Sequence, residues 1–295
     1  MRRTMLIAML AVVALIGSAL PALASRAVPV IATPALEEGF GASTSYIDWG
    51  SAPKSSPHAF VVYAKKRGGS RFRVSAAGTK AFGGGIDGTT LTYQQIDHGN
   101  SDIKMFDLVT KKRSDPPAGV DTGAWEYGPT VSGNFIQFAR WFPSTSQRSV
   151  MLFNTATSRS MTLGTVRGRK NYAEPGQVNG TFATWAVCTP KCNVYLLNLT
   201  TGHRIKVPNP GSTYQYNPGV SVKGTVFFGR SGAACGSHAN IYRYTPGGTP
   251  RLALRLPNGV DEAQIFVFTS GNKTTVYFDR SVCPHAFDIY KFTAS

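Results

Sequence analysis

A repeat of about 45 residues constrains the fold of this sequence more than any other feature. The clearest copies begin with a tight turn at a glycine that leads into a short apolar strand: Gly88, Gly133, Gly180 and Gly224. These glycines lie 44 to 47 residues apart, a looser copy follows at Gly271, and a degenerate first copy occupies residues 43–49. Six copies therefore fill the chain behind its N-terminal leader.

Each repeat contains further short apolar strands that are bounded by turn residues. The third strands share this pattern: Ile103–Leu108, Val150–Asn154, Val194–Asn198, Ile241–Tyr244 and Asp288–Phe292. A short fourth strand follows, as at Arg204–Val207, and nothing beyond the leader has helical periodicity. Several strands per repeat, six repeats and 31 glycines predict an all-β fold, a six-bladed β-propeller of four-stranded antiparallel blades.

The repeat also predicts the boundaries of the domain and the closure of the ring. Residues 25–295 form one propeller domain, with repeats near 35–80, 81–120, 121–168, 169–210, 211–257 and 258–295. The last repeat ends after its third strand, and residues 27–32 offer a spare one. Because an unpaired sheet edge is a liability, we expect this N-terminal strand to complete the last blade.

The first 24 residues are predicted to be a secretory signal peptide. Arg2 and Arg3 precede an uncharged apolar run, and Ala22-Leu23-Ala24 places small residues before a cleavage site at Ser25. An uncleaved membrane anchor is the alternative, but the run of about 16 residues is shorter than the roughly 20 that span a bilayer. We therefore predict a secreted protein, extracellular or periplasmic and monomeric, with no transmembrane segment in the mature chain.

The sequence contains four cysteines, an even number that suits an oxidising compartment: Cys188, Cys192, Cys235 and Cys283. Cys188 and Cys192 flank a short hairpin loop, which predicts a local disulfide. Cys235 and Cys283 occupy the equivalent loop of the next two blades, which predicts a disulfide between those blades. A zinc-like site that combines Cys235 and Cys283 with His238 and His285 is the alternative.

Three phrases link the repeat to a known family: Asp107-Leu108-Val109-Thr110, Asn154-Thr155-Ala156-Thr157 and Asn198-Leu199-Thr200-Thr201. With the repeat length, they resemble the TolB-like, WD40-like family of six-bladed propellers over essentially the whole mature region. The family's proline-tryptophan-serine-proline-aspartate-glycine segment is eroded here to residues 128–133, and the Gly-His and Trp-Asp signatures of WD40 blades are absent. The resemblance implies a fold and a tendency to bind proteins or ligands, and it implies no reaction.

The chain is strongly basic, with a net charge of +14 once Arg2 and Arg3 are removed with the leader. One interpretation is attraction to a polyanion such as teichoic acid, acidic polysaccharide, lipid headgroups or nucleic acid. The other is protection of the outer blade edges, where residues 111–113 and 167–170 concentrate positive charge. Because no basic stretch has the spacing of a nucleic-acid motif, we predict no nucleic-acid partner.

Acidic and aromatic residues concentrate in the loops that lead into the innermost strands. In a propeller these leading loops meet around one axis, so we predict a ligand-binding site at that end of the channel. The predicted site residues are Trp125, Glu126, Tyr172, Glu174, Tyr214 and Glu262. The carboxylates would make polar or cation contacts and the rings would stack, whereas the alternative is that the carboxylates merely cap loops and pair with arginines.

The sequence contains no Gly-x-Ser-x-Gly elbow, phosphate loop or His-Glu-x-x-His motif. We therefore predict a non-enzymatic binding module for a cell-envelope polymer or an exported protein, with no catalytic residue, metal site or cofactor assigned. One alternative is a propeller hydrolase or lyase that acts on a glycan through carboxylates of the same loops. The other is a structural propeller stabilised by calcium at the channel mouth.

Overall fold

The computed structural model describes residues 26–211, 213–231, 239–261, 264–282 and 285–294. The leader, Glu262, Cys235 and Cys283 lie outside the described residues. Six antiparallel sheets are present in the described part of the chain. Five are four-stranded meanders in which consecutive strands are neighbours, and in the sixth the inner strand is interrupted and the N-terminal strand lies at the outer edge. The predicted all-β propeller of six four-stranded blades is confirmed.

The first three blades follow the repeat closely. Blade 1 consists of β2 (Leu36–Ala42), β3 (Tyr46–Ala52), β4 (Val61–Lys66) and β5 (Arg71–Arg73). Blade 2 consists of β6 (Lys80–Asp87), β7 (Thr90–Asp97), β8 (Asn100–Asp107) and β9 (Arg113–Ser114). Blade 3 consists of β10 (Trp125–Ser132), β11 (Phe135–Phe142), β12 (Gln147–Asn154) and β13 (Arg159–Arg167), with a 3-10 turn at Pro143–Thr145.

Blades 4 and 5 have the same order of strands, and blade 6 differs in its inner and outer strands. Blade 4 consists of β14 (Tyr172–Asn179), β15 (Phe182–Cys188), β16 (Cys192–Asn198) and β17 (Arg204–Lys206). Blade 5 consists of β18 (Tyr214–Val220), β19 (Val226–Ser231), β20 (Asn240–Tyr244) and β21 (Arg251–Leu254). Blade 6 consists of β22 (Val260–Asp261), β23 (Ile265–Ser270), β24 (Lys273–Val282), β25 (His285–Ala294) and the N-terminal β1 (Val28–Ile31).

The N-terminal strand closes the ring, as predicted. Strand β1 pairs antiparallel with β25, with Val28 opposite Lys291 and Pro29 opposite Tyr290. Without β1, the edge of β25 would expose a row of unpaired backbone groups. Strand β1 therefore covers the edge that β25 leaves open.

The hydrophobic core lies between neighbouring blades, because each strand alternates side chains between the two faces of its sheet. One cluster joins Phe40 and Trp49 of blade 1 to Phe266 and Tyr277 of blade 6, and so packs the seam where the ring closes. Burying a side chain of this size contributes about 1.5–3 kcal/mol. The ring is thus held both by the pairing of β1 and by a packed interface at the same seam.

The predicted disulfide between Cys188 and Cys192 is present, and it joins the end of β15 to the start of β16. The two cysteines are register partners in adjacent strands, and both are buried. The pairing of Cys235 with Cys283 stays a prediction, because both residues lie outside the described part of the chain. Among the described residues, no helix has the length and hydrophobicity needed to cross a membrane.

Candidate functional site

The innermost strands of blades 1 to 5 share a shift of register midway along their length. Such a bulge adds one residue to one strand, bends it and turns side chains in a new direction. The shifts fall where a glycine, a proline or an asparagine follows a larger residue. These larger residues, which we name the mouth ring, are Glu38, Phe82, Tyr127, Glu174 and Tyr216.

The bulges bring neighbouring backbones so close that no side chain fits between them. A Cβ atom added to Gly83 would lie 2.0 Å from the carbonyl oxygen of Gly39, and one added to Gly176 would lie 2.3 Å from that of Pro218. Gly39 also has a φ of +62°, which glycine adopts without strain. The inner strands therefore converge into a floor of backbone around the axis.

A cavity of about 440 Å³ lies on this floor at the end of the channel where the leading loops meet. Four members of the mouth ring line it, together with Trp125 and Gln264: Glu38, Phe82, Tyr127 and Glu174. The lining combines two carboxylates, three aromatic rings and backbone carbonyl groups. This mixture of a few polar groups with aromatic surface is typical of ligand sites.

The two carboxylates of this mouth cavity are held in a partly desolvated setting. Burial raises the pKa of Glu38, and the charge of Lys80 opposes the rise. Burial raises the pKa of Glu174 to about 7, and the charge of Arg148 opposes it. Within the described part of the chain, neither carboxylate has a hydrogen bond or an ion pair. Both are therefore available to a ligand.

Glu126 has a different environment. Neighbouring side chains of a strand point to opposite faces of the sheet, so Glu126 points away from the mouth cavity that Tyr127 lines. It is fully buried and accepts hydrogen bonds from Arg140 Nε at 2.8 Å and from Thr122 Oγ1 at 2.6 Å. Burial raises the pKa of Glu126, and both partners oppose the rise. Arg140 also donates to the carbonyl oxygen of Gly119, so this pair holds its own leading loop.

Glu37 takes the corresponding position in blade 1. It is fully buried, and Thr33, four residues earlier, donates a hydrogen bond to it just as Thr122 does to Glu126. Burial raises the pKa of Glu37 to about 7, against the opposing hydrogen bond from Thr33. In blades 1 and 3, a buried glutamate thus accepts a hydrogen bond from a threonine four residues earlier and holds the leading loop. We name this arrangement the loop lock.

The structure brings three of the six predicted site residues together. Trp125 and Glu174 line the mouth cavity, and Tyr172 lines an adjoining groove that also reaches Glu174. Tyr214 is half-buried, and its phenol lies near enough to Tyr172 to help raise the pKa of Tyr172 to about 12, after the larger effect of burial. Glu126 belongs to the loop lock described above, and Glu262 lies outside the described residues.

Our selection of site residues from the sequence omitted Glu38, Tyr127 and Gln264, which also line the cavity. A usable signal was present for the first two, because each precedes a glycine at the bulge, Gly39 or Gly128. A residue before a chain-bending position in several successive repeats is a candidate for the mouth of the channel.

Gln177 lies midway along the inner strand of blade 4, and its side chain reaches the inner strands of blades 5 and 6. Its Nε2 donates to the carbonyl oxygen of Val267 at 2.8 Å, and its Oε1 accepts from the backbone N–H groups of Val267 and Val220 at 2.8 and 3.2 Å. Gln177 is 2% exposed, so these bonds form away from water. They tie blade 4 to blades 5 and 6.

The opposite end of the channel holds a second cavity of about 510 Å³, which is lined by tight turns. Two of its polar side chains bond the backbones of neighbouring blades. Asn179 Nδ2 donates to the carbonyl oxygen of Val220 at 2.9 Å, and Asp87 Oδ2 accepts from the backbone N–H of Gly133 at 2.5 Å. The one carboxylate among its lining residues, Asp87, is thus bonded within the protein, unlike Glu38 and Glu174 at the mouth cavity.

A group of three carboxylates beside the site could contribute metal ligands: Asp102, Asp121 and Glu126. One oxygen of each lies within 4.8 Å of the others. Lys104 bonds Asp121 at 3.3 Å and Arg140 bonds Glu126, so two of the three charges already have a cationic partner. The calcium alternative stays a prediction, and these residues are the ones that would hold the ion.

Comparison with known proteins defines the fold. No protein-family model matches the sequence, and no curated protein matches it. Among solved structures, TolB from Acinetobacter baumannii is 11% identical, with a TM-score of 0.57 over 84% of this chain and 64% of that one. An oligogalacturonate lyase in complex with manganese is 11% identical, with a TM-score of 0.53 over 92% of this chain and 98% of that one.

A prolyl endopeptidase is 14% identical, with a TM-score of 0.53 over 85% of this chain and 42% of that one. The class is therefore settled by the blades and by these likenesses together: the chain is a six-bladed β-propeller. Within that class its fold is TolB-like, as the repeat predicted. This chain spans 64% of the length of the matched TolB, and identities this low establish the fold alone.

Proposed function

We propose that this protein is an exported interaction module that binds a cell-envelope polymer or an exported protein at the mouth cavity. The observation that carries the proposal is the pair of carboxylates, Glu38 and Glu174, which face a cavity of about 440 Å³ without partners among the described residues. Partly desolvated carboxylates cost free energy unless something compensates them, and a ligand can do so. The hydrolase alternative is not favoured.

Export is part of the proposal and has its own support. The predicted leader ends before Ser25, and the disulfide between Cys188 and Cys192 fits an oxidising compartment. Mass spectrometry of the protein recovered outside the cytoplasm should find a chain that begins at Ser25. Recovery of the full-length chain in the membrane fraction would instead favour the uncleaved anchor.

The experiment that tests binding places a photo-crosslinking amino acid at Tyr127 in the cells that produce the protein. A matched variant carries the same group at Met161, which is 53% exposed on the outer strand of blade 3. We expect a discrete crosslinked product from position 127 and none from position 161. In parallel, purified cell-wall polymer should co-sediment with the wild-type protein if the ligand is a polymer.

A neutral substitution shows whether the carboxylate takes part. Glu174→Gln should weaken the crosslink or the co-sedimentation at least several-fold, whereas Asp97→Asn, at the exposed end of β7, should leave both unchanged. Equal products from positions 127 and 161, or no effect of Glu174→Gln, would remove the support for a site at the mouth.

A further inference from the structure

A groove leaves the mouth cavity and runs outward between blades 3 and 4. Its inner part, of about 390 Å³, is lined by Tyr127, Trp141, Arg148, Tyr172 and Glu174, of which the first and last also line the mouth cavity. Its outer part, of about 270 Å³, shares Trp141 and Arg148 and ends at the loop of residues 168–169. We name these two connected parts the side groove.

The central residue of the side groove is Arg148, a half-buried arginine with few acceptors. Among the described residues, its one hydrogen bond is a long contact of 3.5 Å from Nη1 to the carbonyl oxygen of Asn171. The guanidinium carbon lies 5.3 Å from the ring centre of Trp141, which holds the plane of the group in the groove. An arginine has five N–H donors, so most of those of Arg148 remain available.

Two other half-buried arginines of the same end of the ring show what a structural arginine does. Arg140 donates to Glu126 and to the carbonyl oxygens of Gly119 and Val120 at 2.8 to 3.1 Å. Arg230 donates to Thr213 Oγ1 and to the carbonyl oxygen of Pro210, both at 2.9 Å. These two arginines hold leading loops, whereas Arg148 faces a cavity. The charge of Arg148 acts on Glu174 in the same groove, but the two side chains form no ion pair, so the planar fork of Arg148 can take a carboxylate of a ligand.

The walls of the side groove are aromatic. Trp141, Tyr127 and Tyr172 present ring surface to the cavity, and Trp125 supports Trp141 edge-on, with ring centres 5.1 Å apart. Aromatic faces carry partial negative charge, so they attract the C–H face of a sugar ring, and that contact excludes water. The carboxyl group of Glu174 at the inner end can exchange hydrogen bonds with hydroxyl groups.

The outer end of the side groove is positively charged. Arg169 lines it, and the exposed Arg167 and Lys170 lie beside it in the same segment. The whole chain carries a formal net charge of +16, which attracts polyanions over a longer range. A ligand that extends outward from Arg148 therefore meets more cations if it carries repeated negative charges.

We propose that the side groove binds an acidic glycan of the uronate type, with one carboxylate held by Arg148 and its sugar ring packed on Trp141. The proposal rests on the proposed function, because it takes the mouth as the place of binding and names the class of polymer. An acidic peptide matches the charge of Arg148, but it offers no rigid apolar ring for the aromatic walls. The observations therefore favour the glycan.

The test is titration calorimetry with a tetramer of galacturonic acid and with the same tetramer after its carboxyl groups are reduced. We expect the wild-type protein to bind the acid form, and Arg148→Gln to weaken binding about 10- to 100-fold, the worth of a charged hydrogen-bonded contact. Arg148→Lys, which keeps the charge but loses the planar fork, should also weaken binding. The reduced tetramer should bind wild type and Arg148→Gln equally weakly.

The matched control is Arg204→Gln, which removes the same charge from an arginine that also packs on aromatic rings. Arg204 lies 4.7 Å from the ring centres of Trp185 and Tyr195 at the outer edge of blade 4, away from the groove. This variant should bind the acid tetramer as the wild type does. Thermal unfolding of each variant confirms that it is folded before binding is measured.

Several results would overturn the proposal. If Arg204→Gln lost as much affinity for the acid tetramer as Arg148→Gln, the ligand would be attracted by net charge alone. If the wild type bound a glutamate oligomer as tightly as the acid tetramer, the groove would recognise acidic peptide. No binding of the acid tetramer by the wild type would remove the glycan. If the crosslink from position 127 still forms in that case, the mouth remains the binding site. If the crosslink does not form either, both the proposed function and the proposal for the side groove are wrong.

Discussion

The two ends of the central channel are built from the same six inner strands, yet they treat polar groups in opposite ways. At the mouth cavity, Glu38 and Glu174 face the space without partners among the described residues. At the opposite end, the side chains of Asn179 and Asp87 form hydrogen bonds with the backbones of neighbouring blades. Polar side chains of the opposite end thus join neighbouring blades, whereas two carboxylates of the mouth cavity form no such bond.

The residue midway between these ends explains how both are possible. The side-chain amide of Gln177 forms hydrogen bonds with the backbones of Val220 and Val267. These bonds hold blades 4, 5 and 6 together, so the carboxylates of the mouth cavity are not needed to do so. The corresponding positions of blades 1, 2 and 5 are Gly41, Gly85 and Gly219, where a Cβ atom would lie within 2.6 to 2.8 Å of an atom of the next blade.

The largest expected effect comes from breaking the floor of the mouth. Gly83→Ala would place a Cβ atom 2.0 Å from the carbonyl oxygen of Gly39, and backbone cannot move aside without separating two blades. We expect a loss of about 3 kcal/mol or more in the free energy of unfolding, measured by urea denaturation. Gly123→Ala is the control, because its Cβ would meet open space; a similar loss there would show that the close approach is unimportant.

The next prediction compares the loss of stability when a glutamine is replaced midway along the channel and at its mouth. Gln177→Leu leaves the backbone N–H groups of Val220 and Val267 buried without acceptors, and we expect a loss of about 2–4 kcal/mol. Gln94→Leu at the mouth breaks one side-chain bond, to Ser101 at 2.8 Å, and should cost about 1 kcal/mol. Equal losses by urea denaturation would contradict the assignment of fastening to Gln177.

The smallest effect concerns the proton at the mouth. The pKa of Glu174 rises from an ordinary 4.5 to about 7 because of burial, so the native protein keeps a proton that the unfolded chain releases between these values. The free energy of unfolding should therefore fall as the pH rises from about 4.5 to 7. Glu174→Gln removes this penalty. The full shift corresponds to roughly 3 kcal/mol, but the side chain is partly exposed to water, so we expect the variant to be about 1 kcal/mol more stable than wild type at pH 8, with no difference at pH 4.

Thermal unfolding at both pH values measures this difference. Asp97→Asn, at the exposed end of β7, is the control and should match the wild type at both. A variant of Glu174 that is less stable than wild type at pH 8 would mean that the carboxylate is satisfied in the native protein, which would erase the contrast between the two ends.

Much of the fold was predictable because a propeller is a repetition of one local pattern. Turns at Gly88, Gly133 and Gly180 set the blades, and the missing last strand pointed to the N-terminal segment that fills it. The site was only partly predictable, because side chains alternate along a strand and a bulge changes where that alternation falls. Tyr127 lines the cavity while its neighbour Glu126 locks a loop, and no count along the sequence separates them.

The sequence by itself determined that six similar sheets form and that their leading loops gather acids and rings, since period, turns and strand patterning are local properties. Only the tertiary structure decided which carboxylates remain free, that Gln177 reaches the inner strands of blades 5 and 6, and that Arg148 lacks acceptors while Arg140 and Arg230 have them. These outcomes depend on distances between atoms of different blades. Such distances are set by how tightly the ring packs, and no single repeat contains that information.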